Sequence, residues 1–566
     1  MNRTPLSRGV VLWAAFFAVI AVGRVLLTYQ ATSQGFDEPC HVAAGIELLD
    51  KGTYTLDPVH PPLARLAIGL PVYLAGERYP RTGEAATSNN YNVVGNSILY
   101  DSGHYRRNLT LARLAVLPFF LFAAVVVFLW TRREFGDFAA VMAVALFTTV
   151  PTVLAVSSIA YTDMTAASTQ AAALFAFVMW LEKRTVGSSV LLGIAVGLAL
   201  LAKFTTLIFL PAGAAAIWTT KWLLTRKAGV ARGARPAHPV RQMAIVVLTA
   251  STMLWGSYGF AIGHVRESMQ LSVASMPTFQ NFPAPLRSVA RKLVLSDPVI
   301  PAPALVKGLA TVWVLNHEAP ESYLLGKIKH GGWWYFFLLA IAVKSPLPFL
   351  LLASVGLFAL WPLARSRRWA ALAPAVSALA ILLMTMPVKY DAGVRHILVI
   401  FPLLAILAGH GCSYLWQQRG RWQVAPQAIL LGLLVWQGVS TFRARQDYIA
   451  YFNELAGQDP SRILLMGCDL DCGQDLFRLS DALRARHISQ LNLAVWSSAD
   501  MSRMGLPEFN VPPPYTPVHG WFAISMRSLR LGHVLHSAYP PDGFAWLSQY
   551  QPVEKIGKTI RLYYLP

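Results

Sequence analysis

LAVLPFFLFAAVVVFLW, residues 114–130, followed at once by Thr131-Arg132-Arg133, decides the class of fold. At about 1.5 Å per residue a helix of that length reaches about 25 Å, close to the hydrocarbon thickness of a bilayer, about 30 Å. Windows 10–23 and 397–416 have the same uncharged character. Inside hydrocarbon every peptide N–H and C=O needs a partner from its own segment, so such windows read as membrane-spanning helices. The whole chain agrees, because 566 residues of which 55% are hydrophobic and only 13% charged are too many and too apolar for one soluble core.

Working outward, spans are predicted near 10–28, 111–130, 138–157, 164–181, 189–202, 204–222, 242–262, 334–362, 370–387, 396–416 and 424–442. The short 189–202 window leaves two forms open for its pair with 204–222, separate spans or one broken hairpin. Connections rich in Lys and Arg alternate with poorer ones: Thr131 to Arg133, Glu182 to Arg184, Lys221 to Arg241, Arg365 to Arg368 and Arg419 to Arg421, together with Arg3 and Arg8, read as cytoplasmic. That leaves 29–110, 158–163, 263–333, 388–395 and everything after about 443 on the outer side. The apolar run in 1–29 lacks a small-residue cleavage site and reads as an uncleaved first span.

The expected architecture is therefore an α-helical polytopic protein of the cell membrane with a cytoplasmic N-terminus. A transmembrane domain over 1–443 carries external loops 29–110 and 263–333, and 444–566 has the texture of a small extracytoplasmic α/β domain. In it 463–466, 491–495, 521–525 and 560–564 read as strands and 474–486 as a helix. In the first loop, Pro39 stands near a helix start and Gly52 near its end, and Pro61-Pro62 opens a second, amphipathic helix suited to a membrane surface.

The formal net charge of +20 sits in short clusters between apolar spans, which fits orientation and anionic lipid; no basic-aromatic module for nucleic acid is present. Of four cysteines, Cys40 and Cys412 stand alone, and no zinc spacing or disulfide framework emerges. These patterns specify no cofactor and leave metal dependence open.

Phe36-Asp37-Glu38 puts two carboxylates just past the first span. Asp37 as a helix N-cap and Asp37 as a chemical group are both open readings. Asp163, Lys203, Lys344, Arg395 and His396 map to the same outer face; each alone reads equally as an orienting or snorkelling charge. Together they make an acid and a set of cations at one interface, the combination a lipid-phosphate leaving group requires. A phosphate departs as a stable anion, so fixed cations replace the general acid that a glycosidase needs. His60, ahead of Pro61-Pro62, and Arg65, one turn on, are further candidates for the phosphate.

At these residues the chain resembles glycosyltransferase family 39, the protein O-mannosyltransferases and lipid A aminoarabinose transferases. The matching pieces are Asp37-Glu38, His60-Pro61-Pro62-Leu63, Tyr161-Thr162-Asp163-Met164, Leu200 to Phe204, Gly331-Gly332-Trp333-Trp334-Tyr335-Phe336, Lys344-Ser345-Pro346-Leu347-Pro348, Gly393-Val394-Arg395-His396 and Tyr451 to Gly457, in order over 36–475. The resemblance implies a GT-C fold, an enzyme using a polyprenyl-phosphate-linked sugar, and Asp37 as catalytic carboxylate with Glu38 and Asp163 beside it. It also suggests that Lys203, Lys344 and Arg395 serve the donor phosphate, where the residue pattern adds His60, Arg65 and His396; the expected partners are membrane lipid and an acceptor protein, glycolipid or cell-wall polymer. One departure stands out. Relatives carry Trp in Asp-x-Asp-Trp-Gly-Gln-Asp where this chain has Cys472, within Cys468-Asp469-Leu470-Asp471-Cys472-Gly473-Gln474-Asp475. Two unpaired small side chains are the simplest reading, with a Cys468–Cys472 disulfide or a metal site with Asp469 and Asp471 as alternatives. From other classes, a lipid or sugar transporter and a non-catalytic membrane subunit compete; the clustering of charge at one face rather than at the bilayer midplane favours the enzyme.

Overall fold

Helices fill the predicted apolar windows, and prolines decide where they break. The computed structural model describes residues 7–226, 239–265, 284–317, 321–418, 424–535 and 537–566. The readings that fall on Arg3, on 227–238, on 266–283 and on Arg419 and Arg421 lie outside the described residues. Among those described, Arg8–Leu26, Tyr105–Phe135, Asp163–Glu182, Thr206–Arg226, Leu347–Arg365 and Ala425–Arg443 are each long and apolar enough to cross a membrane. Asp137–Phe147 and Pro151–Ser157 together make a seventh, bent by 65°.

Two windows read as single spans are interrupted. Ser345 is extended (φ −109°, ψ 141°), so 334–362 divides into Phe336–Lys344 and Leu347–Phe358. Val150 is extended in the same way (φ −72°, ψ 118°) between the halves of 138–157. In both places the next residue is proline, whose ring clashes with a helical conformation at the residue before it. Apolarity reads through such a break; backbone sterics do not.

Asp163–Glu182 lies at the centre, with 83% of its apolar window buried, against 11% for the peripheral Arg8–Leu26. Its buried face carries Thr165, Ala166, Ala167, Ser168, Thr169, Ala171 and Ala173, small side chains that let neighbouring backbones approach closely.

In the segment that follows the first apolar helix, helix Glu38–Lys51 starts beside Pro39 and ends at Gly52, whose φ of 68° suits a residue without Cβ. Pro62–Leu74 packs across it at Gly45 and Gly69, where a Cβ on either would collide with the other helix's backbone. Asp37 occupies the N-cap position of Glu38–Lys51, yet its side chain makes no cap hydrogen bond. The capping reading is thereby corrected, and the carboxylate is left for other partners.

In the C-terminal part a five-stranded sheet runs in the order Glu554–Ile556, Ile560–Leu565, Gly520–Ser525, Gln490–Ala494, Glu508–Asn510. The first two pairings are antiparallel and the last two parallel. Residues 463–466, read as a strand, are not one: only Leu464 bridges, to Leu324, and the buried apolar run instead packs a loop against the membrane-domain core. Apolarity alone does not separate a strand from a buried loop. The two parts are laced together where the first external loop meets 473–476. Ser33 N donates to Gln474 O at 3.0 Å, Ser33 Oγ to Gly473 O at 2.8 Å, and Leu476 N to Ser33 Oγ at 3.1 Å.

Candidate active site

Four charged side chains from four separate segments meet beside Tyr161. Arg395 Nη2 donates to Asp37 Oδ2 at 2.7 Å and Arg395 Nη1 to Asp163 Oδ2 at 3.5 Å, while Lys203 is ion-paired with the other oxygen of Asp163. Each reaches the cluster from the end of an element. Asp37 precedes Glu38–Lys51, Asp163 opens Asp163–Glu182, Lys203 follows Val186–Ala202, and Arg395 lies in the 3-10 turn Val394–Ile397. Chain ends of this kind leave side chains free to converge. Asp163 and Lys203 are buried, whereas the Asp37 side chain keeps 31% of its surface exposed and Arg395 14%, which makes Asp37 the most open member of the set.

Tyr161 holds the cluster from below. Its Oη accepts the Asp37 backbone N–H at 2.9 Å, and its ring centre lies 4.6 Å under the Arg395 guanidinium. Asp469 fixes Arg395 from another side, its Oδ1 accepting the Val394 N–H at 2.9 Å.

Other candidates are placed differently. Glu38 points away from Asp37 into a fully buried fork with Arg113, Nε to Oε1 at 2.8 Å and Nη2 to Oε2 at 2.7 Å, and its oxygens also accept Ala160 N and Gly35 N. Arg65 is spent on Asp57, Tyr54 and the His41 ring. His60 sits 5.6 Å from the His41 ring with its Nδ1 buried and unpartnered among the described residues. Burial first, then the charges of Arg65 and Lys203, hold His60 well below the ordinary histidine range. Lys344 donates to Ile449 O at 2.8 Å and Asp469 O at 2.5 Å, and shares with Arg395, Thr152 and Asp469 a small cavity of about 20 Å³.

The structure closes a disulfide between Cys468 and Cys472, with Cα atoms 4.5 Å apart, where unpaired side chains were the simplest expectation. An extended segment would hold those Cα atoms about 13 Å apart, at about 3.3 Å per residue. Cys468 instead takes a left-handed turn (φ 68°) that folds the segment back. Both sulfurs lie against Tyr161 Oη, at 3.3 and 3.2 Å. Asp471 accepts the Gly473 and Arg527 backbone N–H groups, and Asp469 accepts that of Val394 with Oδ1, its Oδ2 being buried without a partner among the described residues. No group of three or more metal-binding side chains occurs among the described residues.

Residues 107–255, which include Arg113, Tyr161, Asp163 and Lys203, match the family model for dolichyl-phosphate-mannose-protein mannosyltransferase. Over these residues the chain is similar to that family of membrane glycosyltransferases. It is an integral membrane protein. No curated protein matches it by sequence. Among solved structures it is similar to the archaeal oligosaccharyltransferase AglB from Archaeoglobus fulgidus, in complex with an inhibitory peptide and a dolichol-phosphate, at 15% identity and a TM-score of 0.49. That match covers 79% of this chain, which spans 56% of the length of AglB. ArnT from Cupriavidus metallidurans, bound to undecaprenyl phosphate, matches at 14% identity and a TM-score of 0.46 over 97% of this chain and 98% of ArnT. The S. cerevisiae protein O-mannosyltransferase Pmt1-Pmt2 complex, bound to the sugar donor, matches at 18% identity and a TM-score of 0.31 over 45% of this chain and 33% of that one.

Sequence reasoning quoted Tyr161 only as part of a motif and passed over Asp391. Asp391 Oδ2 accepts Ser322 Oγ at 2.6 Å and Trp333 N at 3.1 Å, while Oδ1 is buried and unpartnered among the described residues. Burial pushes this carboxyl up from 3.8 to about 6. The fold therefore favours the protonated acid: the stabilisation is complete below pH about 4 and is lost as pH rises through about 6. Asp391→Asn is expected to remove that loss, raising the melting temperature at pH 7.5 by about 2 °C or more and flattening its decline between pH 5 and 7. Thermal unfolding of both proteins across that range checks it; parallel pH curves would count against this role for Asp391.

Proposed function

We propose that this chain moves a sugar from a polyprenyl-phosphate carrier to an acceptor hydroxyl at the outer face of the cell membrane, by direct displacement with Asp37 as base. The observation that carries the reading is the meeting of Asp37, Arg395, Asp163 and Lys203 in one cluster with Asp37 partly open to solvent.

The chemistry follows from those positions. The acceptor oxygen attacks the anomeric carbon while its proton passes to the Asp37 carboxylate. The bond from that carbon to the phosphate oxygen breaks, and its electron pair leaves with the lipid phosphate. Arg395 and Lys203 stabilise the departing anion, and Asp163 keeps both cations oriented. Arg395 bridges Asp37 and Asp163 before substrate arrives. A phosphate competing for that guanidinium loosens its hold on Asp37, so that donor binding itself readies the base. Attack opposite the leaving group inverts the anomeric centre.

Lys344, His60 and His396 complete the phosphate's surroundings in this reading. Arg65 orients His41 beside them, and Glu38 is a supporting residue. An apolar groove of about 960 Å³, lined by Leu338, Ile341, Leu350, Leu357, Leu379 and Leu404, supports a lipid-borne donor. The reading keeps 1–443 as the catalytic membrane domain, a cytoplasmic N-terminus and 444–566 outside. The acceptor is a protein, a glycolipid or a cell-wall polymer.

The test uses full-length protein in nanodiscs with a panel of radiolabelled undecaprenyl-phosphate sugars. Acceptor-dependent release of undecaprenyl phosphate is expected, with inverted anomeric configuration in the product by NMR. Retained configuration would rule out direct displacement, and no release from any donor would defeat the transferase reading.

A further inference from the structure

A buried cation normally has an anion beside it, because removing a charge from water costs several kcal/mol unless it is paired. Arg65 has Asp57, Arg113 has Glu38, and Arg395 has Asp37 and Asp163. Arg527, contributed by the C-terminal part and only 8% exposed, makes no such salt bridge among the described residues. Its Nε donates to His533 Nδ1 at 3.2 Å and its Nη1 to Leu465 O at 3.2 Å. Both acceptors are neutral, since burial and Arg527 itself hold His533 down at about 4. The nearby carboxylate of Asp471 is turned to the Arg527 backbone N–H, at 3.0 Å, and to Gly473 N. The remaining donors of the fork, Nη2 among them, have no protein partner among the described residues.

The position of this unpaired cation is specific. The guanidinium lies 3.9 Å over the ring of Trp496, and Trp496 stacks on Phe36 with ring centres 4.1 Å apart and planes 2° from parallel. Phe36 is the residue before Asp37. A continuous line of contacts thus runs from Lys203 and Asp163 through Arg395 to Asp37, and onward through Phe36 and Trp496 to Arg527. Asp37 stands in the middle. The donor phosphate belongs with Arg395 and Lys203, and a nucleophile must approach from the face away from its leaving group.

We propose that Arg527, held on the Trp496 ring, binds an anionic oxygen group of the acceptor, a phosphate or carboxylate close to the hydroxyl that receives the sugar. The planar fork suits either group, offering two parallel N–H donors. This rests on the transferase reading, because only that reading gives the site an acceptor side. It also gives the C-terminal part a role, recognising acidic acceptors over neutral ones.

The test uses full-length protein in nanodiscs saturated with undecaprenyl phosphate, titrated with glucose 1-phosphate and with glucose by calorimetry. Wild type is expected to bind the phosphorylated sugar and not the neutral one. Arg527→Gln is expected to weaken that binding at least tenfold with a melting temperature within 2 °C of wild type. Arg527→Lys keeps the charge without the fork and is expected to weaken it less; should the glutamine variant fail to fold, a threefold or greater loss in the lysine variant carries the proposal. Equal affinity in the variants, or no binding of glucose 1-phosphate by wild type, would overturn it. So would binding of glucose 1-phosphate that appears only in a parallel titration without undecaprenyl phosphate, which would assign the cation to the donor. Failure of undecaprenyl phosphate itself to bind is a separate outcome, and strikes the transferase reading instead.

Discussion

Asp37→Asn is expected to lower sugar transfer by about 10²- to 10⁴-fold, the range that a positioned general base contributes, while leaving the melting temperature of the protein almost unchanged. The two halves of that expectation come from different observations. Asparagine matches aspartate in shape but cannot take a proton from the attacking hydroxyl. Stability is spared because the Asp37 side chain makes no cap bond to its helix and is partly exposed. Arg395 keeps Asp163 as a partner and Tyr161 beneath it. Binding of undecaprenyl phosphate to the variant should stay within a few-fold of wild type, because the cations that hold it are intact. Release of labelled lipid phosphate, measured beside thermal unfolding, decides the matter: turnover within threefold of wild type would remove Asp37 from the chemistry.

Glu38, its neighbour in sequence, should behave in the opposite way. Its carboxylate is fully buried against Arg113, whose Nη1 and Nη2 also donate to Thr32 O at 3.1 Å and Ser33 O at 2.8 Å. This one guanidinium therefore ties the segment after the first apolar helix to the helix that carries it. Removing one partner of a buried, hydrogen-bonded pair leaves the other charge uncompensated, at a cost of about 3–5 kcal/mol. Arg113→Met should carry that full penalty, and Glu38→Gln a large part of it, since the amide puts an N–H where one oxygen accepted. Both variants are expected to unfold many degrees below wild type, with turnover lost in step with folded protein. Should Glu38→Gln melt like wild type and still fail to turn over, Glu38 would belong in the chemistry after all.

The contrast between these adjacent acids shows where reading along the chain stops. Phe36-Asp37-Glu38 offers two carboxylates of equal promise, and nothing local says that one meets Arg395 and the other Arg113. Those partners stand far off in the chain, and the choice is made by the start of helix Glu38–Lys51, which turns successive side chains to different sides. Tyr161 is similar: the motif around Asp163 was visible, but its hold on the Asp37 backbone needs the packed structure. Arg527 and Trp496 had no signal at all, because one stands in a short helix and the other in the loop after a strand, and only the packed structure lays one over the other. The strand reading of 463–466 failed because a buried loop and a buried strand have the same apolar content.

Composition and the spacing of apolar windows were enough to specify a membrane-embedded helical chain with its chemistry-bearing acids and cations at helix ends, since hydrocarbon tolerates little else and charge collects where helices leave it. The bends at Val150 and Ser345, the Cys468–Cys472 closure, the division of labour between Asp37 and Glu38, and the unpaired Arg527 were decided by the tertiary structure alone. Each depends on groups distant in sequence competing for the same few partners, and that competition is resolved by distance in space.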